Sequence, residues 1–222
     1  LDEGITFPPM FLPAEEGRYL NTLTDKQVIT TTSYYYAWPW RKSAVPYAMQ
    51  HMWMAQAVAN NVAPFVHTSG FPQHQEDRRG LRAVSEMFRF LAEHERYYDE
   101  VSSYVDAAIV LSQNTLNMHA GGDVEKRYSQ HYRGAYALLA HNHYPFDILA
   151  EARLTPEQLS RYRLVLLPNH AAMSDQTAGI LRDYVRGGGS LLATYETSLF
   201  DEAGKPRSDY ALADVFGCHL PG

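Results

Sequence analysis

Four short, mostly apolar runs recur through the second half of the chain: "YVDAAIVLS" at 104–112, "PFDILAE" at 145–151, "RLVLLPN" at 163–169 and "SLLATYE" at 190–196. A run apolar on both alternating faces is what a strand buried inside a parallel sheet requires. The segments between them are spaced for helices. "SQHYRGAYALLAHNHY" (129–144) repeats Tyr132, Ala135, Tyr136 and Leu139 on one side, and "SDQTAGILRDYVRGGG" (174–189) does the same with Ala178, Leu181, Tyr184 and Val185. "TPEQLSRY" is a short helix with Thr155 as N-cap and Pro156 in its first turn, and Ser174 caps the later helix. Strands alternating with such helices need right-handed crossovers. Residues 104–222 are therefore predicted to form a doubly wound α/β domain on a parallel sheet.

Residues 1–103 alternate in the same way. "QVITTTSYY" (27–35) and "VAPFVHTSG" (62–70) read as strands, and "PYAMQHMWMAQAVANN" (46–61) as the helix between them. "RRGLRAVSEMFRFLAEHERYY" (78–98) is a long helix whose apolar stripe is Leu81, Val84, Phe88, Leu91 and Ala92. Two β/α units do not close a sheet, so their flanks call for strands from elsewhere.

A net charge of −6 opposes general nucleic-acid binding, which needs a basic face to displace counterions. No segment reaches the roughly 20 apolar residues of a membrane span, and the N-terminus lacks the pattern of a signal peptide. The single cysteine, Cys218, excludes an intrachain disulfide and a thiolate zinc cluster, which fits the cytoplasm. The chain does not begin with Met, as expected for a fragment or a processed product. Ten histidines raise the question of a metal, but "HNH" at 141–143 points to different sides of a helix and no His-x-x-x-His pair exists. No metal and no cofactor are expected.

"RGGG" at 186–189 is not a phosphate loop. Its glycines follow a helix and precede a strand, the reverse of the order that aims helix-start amides at phosphate. They read instead as a helix stop and a tight turn. Strand, helix, "GGG", strand and sharp turn is also the layout of class I glutamine amidotransferase-like domains, and "RLVLLPN" followed by "GGGSLLATYE" resembles their third and fourth strands. Catalytic members keep a cysteine on the turn after the later strand. Here Tyr195 or Glu196 holds that place, so the resemblance implies a degenerate nucleophile position.

A closer resemblance covers most of the chain. "YRLVLLPNHAAMSDQTAGILRDYVRGGGSLLATYETSLFDEAGKPRSDYALADVFG" resembles the β-galactosidase trimerisation domain, an amidotransferase-like (flavodoxin-like) module that follows the catalytic barrel in family 42 glycoside hydrolases. "VITTTSYYYAWPWRKSAVPYAMQHMWMAQAVANNVAPFVHTSG" is similar to the last two units of such a (β/α)8 barrel. The resemblance implies part of a glycoside hydrolase acting on carbohydrate, with residues 104–222 serving homo-oligomer assembly, a trimer among the forms it allows. The alternative is a non-enzymatic ligand-binding or subunit-interaction module.

Retaining glycosidases use two carboxyl groups about 5–5.5 Å apart at the C-terminal ends of barrel strands. The family pattern places a Glu at the end of the seventh strand, where this chain reads "TTTSYYY", so no catalytic pair is recognisable. At the barrel rim, the cluster "SYYYAWPWR" reads as a loop whose Tyr34, Tyr36, Trp38, Trp40 and Arg41 form a candidate sugar platform. A packed loop or an interdomain contact is the alternative. His67, at a strand end, could bond a ligand or be structural. Glu196, Asp201, Glu202 and Asp209 read more readily as turn and cap residues, with Asp209 as N-cap of "YALADVFG". Residues 117–128 read as an exposed loop.

Overall fold

The computed structural model describes residues 10–37, 40–99, 101–119 and 121–221. The chain divides into two compact units, Leu1–Ser103 and Tyr104–Gly222.

In the first unit, helix α1 (Leu12–Leu20) precedes strand β1 (Val28–Ser33), which pairs in parallel with β4 (Val62–His67). Helices α2 (Tyr47–Ala59) and α3 (Arg79–Glu93) follow the two strands. β1 alternates strictly: Val28, Thr30 and Thr32 are buried, while Ile29 and Thr31 are exposed. The buried threonines are satisfied by Glu16 on α1, whose carboxylate accepts from Thr30 Oγ1 at 2.5 Å, and by Gln50 on α2, which donates to Thr32 Oγ1 at 3.1 Å. The opposite face, with Ile29 at 59% exposure and Phe65 at 51%, is left uncovered, as two β/α units without neighbours require.

Two expectations for this unit are corrected. The aromatic cluster is a hairpin and not a loop: β2 (Tyr35–Ala37) pairs antiparallel with β3 (Trp40–Ala44), with a register irregularity between Tyr35 and Ala37. The run of β-formers at 33–37 was the available signal. The stripe on α3 is also rotated. Its buried residues are Gly80, Ala83 and Met87, while Phe88 is 43% exposed. The small residues win because they allow close approach: a Cβ on Gly80 would stand 2.9 Å from Tyr34 Cε2 and 3.0 Å from Ala44 Cβ.

The second unit is a four-stranded parallel sheet in the order β6-β5-β7-β8, with β5 (Ala107–Leu111), β6 (Phe146–Ala150), β7 (Leu164–Leu167) and β8 (Ser190–Ala193). Helices cover both faces. Ala108, Val110, Leu149, Val165 and Leu167 pack with Ala178 and Leu181 of α6 (Asp175–Arg186). On the other face Phe146 meets Tyr136 of α4 (Gln130–His141) edge-on at 5.1 Å.

The expected caps form. Thr155 Oγ1 accepts from the Gln158 amide at 3.2 Å to start α5 (Pro156–Leu159), and Ser174 Oγ accepts from the Thr177 amide at 3.1 Å to start α6. Beyond α6, Gly188 takes φ 97° to reverse the chain, and any Cβ on Gly189 would overlap the Tyr184 ring. Residues 117–128 are more structured than expected, with π-helical turns at Thr115–His119 and Glu125–Ser129. Asp209 does not cap a helix. The last helix, α7 (Ala213–Phe216), starts after Leu212, and Asp209 instead accepts from the Tyr210 and Leu220 amides and pairs with His219 at 2.6 Å.

Candidate functional site

In an open parallel sheet, ligands gather at the C-terminal ends of the strands where the strand order reverses. In this sheet the reversal lies between β5 and β7. Buried polar residues concentrate there: Ser112 and Thr115 after β5, Glu151 after β6, Asn169 and His170 after β7, Thr197 and Ser198 after β8.

Glu151 organises the inner part. Its carboxylate accepts from Ser112 Oγ at 2.9 Å and from Asn114 Nδ2 at 3.1 Å, and stands 3.0 Å from His170 Nε2. The His170 contact is an ion-pair distance without hydrogen-bond alignment, and the His170 Nδ1 is also buried without a hydrogen-bond partner. Burial pushes the Glu151 carboxyl up, but His170, Ser112 and Asn114 together outweigh it and hold the group below its ordinary range. Ser112 also shares a 2.8 Å hydrogen bond with Thr115, whose Oγ1 accepts from the Ala172 amide at 3.1 Å. Ser112 bonds to the acid and not to the histidine, and it is fully buried. The order needed for an activated serine nucleophile is absent. This network ties three strand ends together.

The outer part lies on the turn after β8. Tyr195 has φ 56°, a left-handed conformation that costs a non-glycine residue about 1–3 kcal/mol. The strain is held by neighbours. The Glu196 amide donates to Asn169 Oδ1 at 3.2 Å, the Asn169 amide donates to Thr194 Oγ1 at 3.0 Å, and Thr197 Oγ1 bonds the Thr194 carbonyl at 2.7 Å. Asn169 itself has φ 43° and reaches the Arg127 carbonyl through its side chain. Tyr195 is 68% exposed and stacks on His131 of α4, with ring centres 5.2 Å apart. Glu196 pairs with His119 Nε2 at 2.9 Å, and the His119 ring rests on Phe200 at 4.2 Å. Neither side chain on this turn is a thiolate; Cys218 lines a groove along β8 together with Thr194, Tyr195 and Thr197 of the turn.

Of the residues selected from sequence, the structure brings Tyr195 and Glu196 to this turn. His119, His131, Glu151 and His170 were missed, because only the fold gathers residues so distant in sequence. In the first unit, Tyr34 is corrected: it is 1% exposed and its hydroxyl donates to the Asp77 carbonyl at 2.6 Å, so its ring belongs to the packed base of the hairpin. Tyr36 is 39% exposed on β2, and His67 is half-buried at the end of β4, opposite Ser33. Trp38 and the side chains of Trp40 and Arg41 lie outside the described residues. Asp77 anchors the hairpin. Its carboxylate accepts from the Ala44 amide at 2.9 Å and from the Arg79 guanidinium, which together with the amide hold it well below the usual carboxylate range.

Among the described residues no group of three or more His, Cys, Asp or Glu could hold a metal ion, and no helix is long and apolar enough to cross a membrane.

The fold is shared with solved glycoside hydrolases. The β-galactosidase from Bacillus circulans sp. alkalophilus superposes with a TM-score of 0.76 at 18% identity, over 96% of this chain and 35% of that one. The E323A mutant of Gan42B, a GH42 β-galactosidase from G. stearothermophilus, gives 0.74 at 18% identity, over 99% and 36%. The α-L-fucosidase isoenzyme 2 from Paenibacillus thiaminolyticus gives 0.69 at 19% identity, over 92% and 29%. The chain thus spans about a third of the length of the solved structures it matches. No curated protein matches it by sequence. Residues 105–219 match the model of the β-galactosidase trimerisation domain. With more than half of its length matched, the chain belongs to the β-galactosidase trimerisation domain family.

Proposed function

We propose that this chain is the junction region of a glycoside hydrolase that acts on carbohydrate. In this reading, Leu1–Ser103 supplies the last β/α units of a (β/α)8 barrel, and Tyr104–Gly222 is an amidotransferase-like domain that assembles homo-oligomers, as a trimer, without chemistry of its own. The observation that carries the reading is the turn after β8, where Tyr195 adopts φ 56°; by the resemblance to amidotransferase-like domains, this is the turn on which catalytic members keep a cysteine. The acid–histidine contacts beside it, Glu196–His119 and Glu151–His170, hydrogen-bond to no thiol among the described residues. The uncovered β1–β4 face supports the barrel reading, since Ile29, Thr31 and Phe65 would meet further strands. The hairpin with Tyr36, Trp38, Trp40 and Arg41, together with His67, then belongs to the sugar-binding rim.

Two measurements on the 222-residue chain test this. Sedimentation equilibrium at 100 µM should show self-association, ideally to three chains; a strict monomer would remove the assembly role. The chain should not hydrolyse p-nitrophenyl β-galactoside, and steady turnover would show that the catalytic carboxylates lie within it.

A further inference from the structure

The geometry points to a saccharide-binding site of the second unit itself, formed by Tyr195, His131 and Glu196 at the C-terminal edge of its sheet. Three observations converge. First, Tyr195 presents an aromatic ring at 68% exposure from a backbone conformation that glycine would adopt without strain. Second, His131 lies nearly parallel to that ring, 20° between planes at 5.2 Å, so the two rings present a stacked aromatic edge and hold the tyrosine in one orientation. Third, Glu196 is the next residue, and its Oε2 is fixed by His119 Nε2 at 2.9 Å while its Oε1 accepts no hydrogen bond from any described residue. The His119 side chain is only 8% exposed and that of Glu196 is 33% exposed, so a buried ring holds one oxygen of a partly exposed carboxylate.

An aromatic ring beside an oriented carboxylate oxygen selects the ligand class. The ring stacks on the C–H face of a sugar, and the carboxylate accepts from the hydroxyls at its edge. Phosphorylated or carboxylated ligands are opposed by Glu196. The flanking backbone is pre-organised by Asn169 and Thr194, which fix the turn before any ligand arrives. The site does not depend on the assembly reading, because it needs only the second unit's own residues.

The test uses the 222-residue chain with methyl β-D-galactoside and methyl β-D-glucoside as probes, followed by amide chemical shifts. Millimolar sugar should move the amides of Glu196, Thr197 and His131 in a saturable way. Tyr195→Gly should weaken this response by at least about fivefold, the loss of one stacking surface, while leaving the fold intact because glycine suits φ 56°. Glu196→Gln should weaken it separately without removing the ring. Absence of saturable shifts at these amides with either sugar, or unchanged affinity in Tyr195→Gly that remains folded, would overturn the proposal. Shifts confined to the first-unit hairpin would overturn it too, while leaving the barrel-rim reading standing.

Discussion

Glu151→Ala should destabilise the second unit more than any other single change on its sheet edge. The side chain is 4% exposed and receives Ser112, Asn114 and the His170 contact within 3.1 Å. Removing one member of a buried pair leaves the other uncompensated, at a cost of about 3–5 kcal/mol. The two hydrogen bonds to a charged acceptor lie within that figure and are not added to it, since groups in one network are not additive. Glu151→Gln keeps the volume and one acceptor oxygen, and should cost less, about 1–3 kcal/mol.

The pH dependence has a definite sign. The folded Glu151 carboxyl sits below its unfolded range, so its contribution is complete above about pH 4.5 and is lost as pH falls through the lower folded value. The gap between wild type and Glu151→Gln should therefore narrow as pH falls below about 4.5. Urea unfolding followed by far-UV circular dichroism measures the gap. Amide exchange at Ile109, Leu149 and Leu166, which lie in the paired strands, assigns it to this sheet. A Glu151→Ala change within 0.5 kcal/mol of wild type, or a gap that widens as pH falls, would refute the reasoning.

Other predictions follow from packing and from the hairpin anchor. Leu181→Ala removes a fully buried side chain from the main core and should cost about 2–5 kcal/mol in urea unfolding. Gly80→Ala should destabilise the first unit by about 1–2 kcal/mol, because overpacking against Tyr34 and Ala44 exceeds the gain in helix propensity; faster amide exchange in α2 and α3 reads it. Asp77→Asn should accelerate exchange of the Ala44 amide by roughly ten- to a hundredfold, the loss of a charge-assisted hydrogen bond of about 1.5–3 kcal/mol. The wild-type protection of that amide should fall only below the ordinary aspartate range, since Asp77 titrates low when folded. Tyr195→Gly should leave the melting temperature within a few degrees of wild type, because about 1–3 kcal/mol of relieved backbone strain is offset by the lost stacking on His131 and the greater freedom of the unfolded chain.

Much of this architecture was legible in residue order. The runs at 107–111, 146–150 and 164–167 are mostly apolar and form buried strands, as such runs require, whereas 190–193 forms the expected strand at the sheet edge, with Leu192 43% exposed. Thr155 and Ser174 announced their helices because a capping hydroxyl acts within three residues. The turn after β8 could be located by counting from the glycines, and its lack of cysteine read directly.

What residue order left open was decided by contacts across the fold. Tyr34 looks like a surface aromatic among aromatics, yet the approach of Gly80 buries it. Phe88 has the spacing of a core residue and is exposed, because α3 turns its small residues inward. His119 and Glu196 are 77 residues apart, and His170 and Glu151 meet only because β6 and β7 flank β5 in the same sheet. Periodicity and capping are local energies and can be read along a chain. Which polar groups are buried together, and so which must satisfy one another, depends on strand order and close packing.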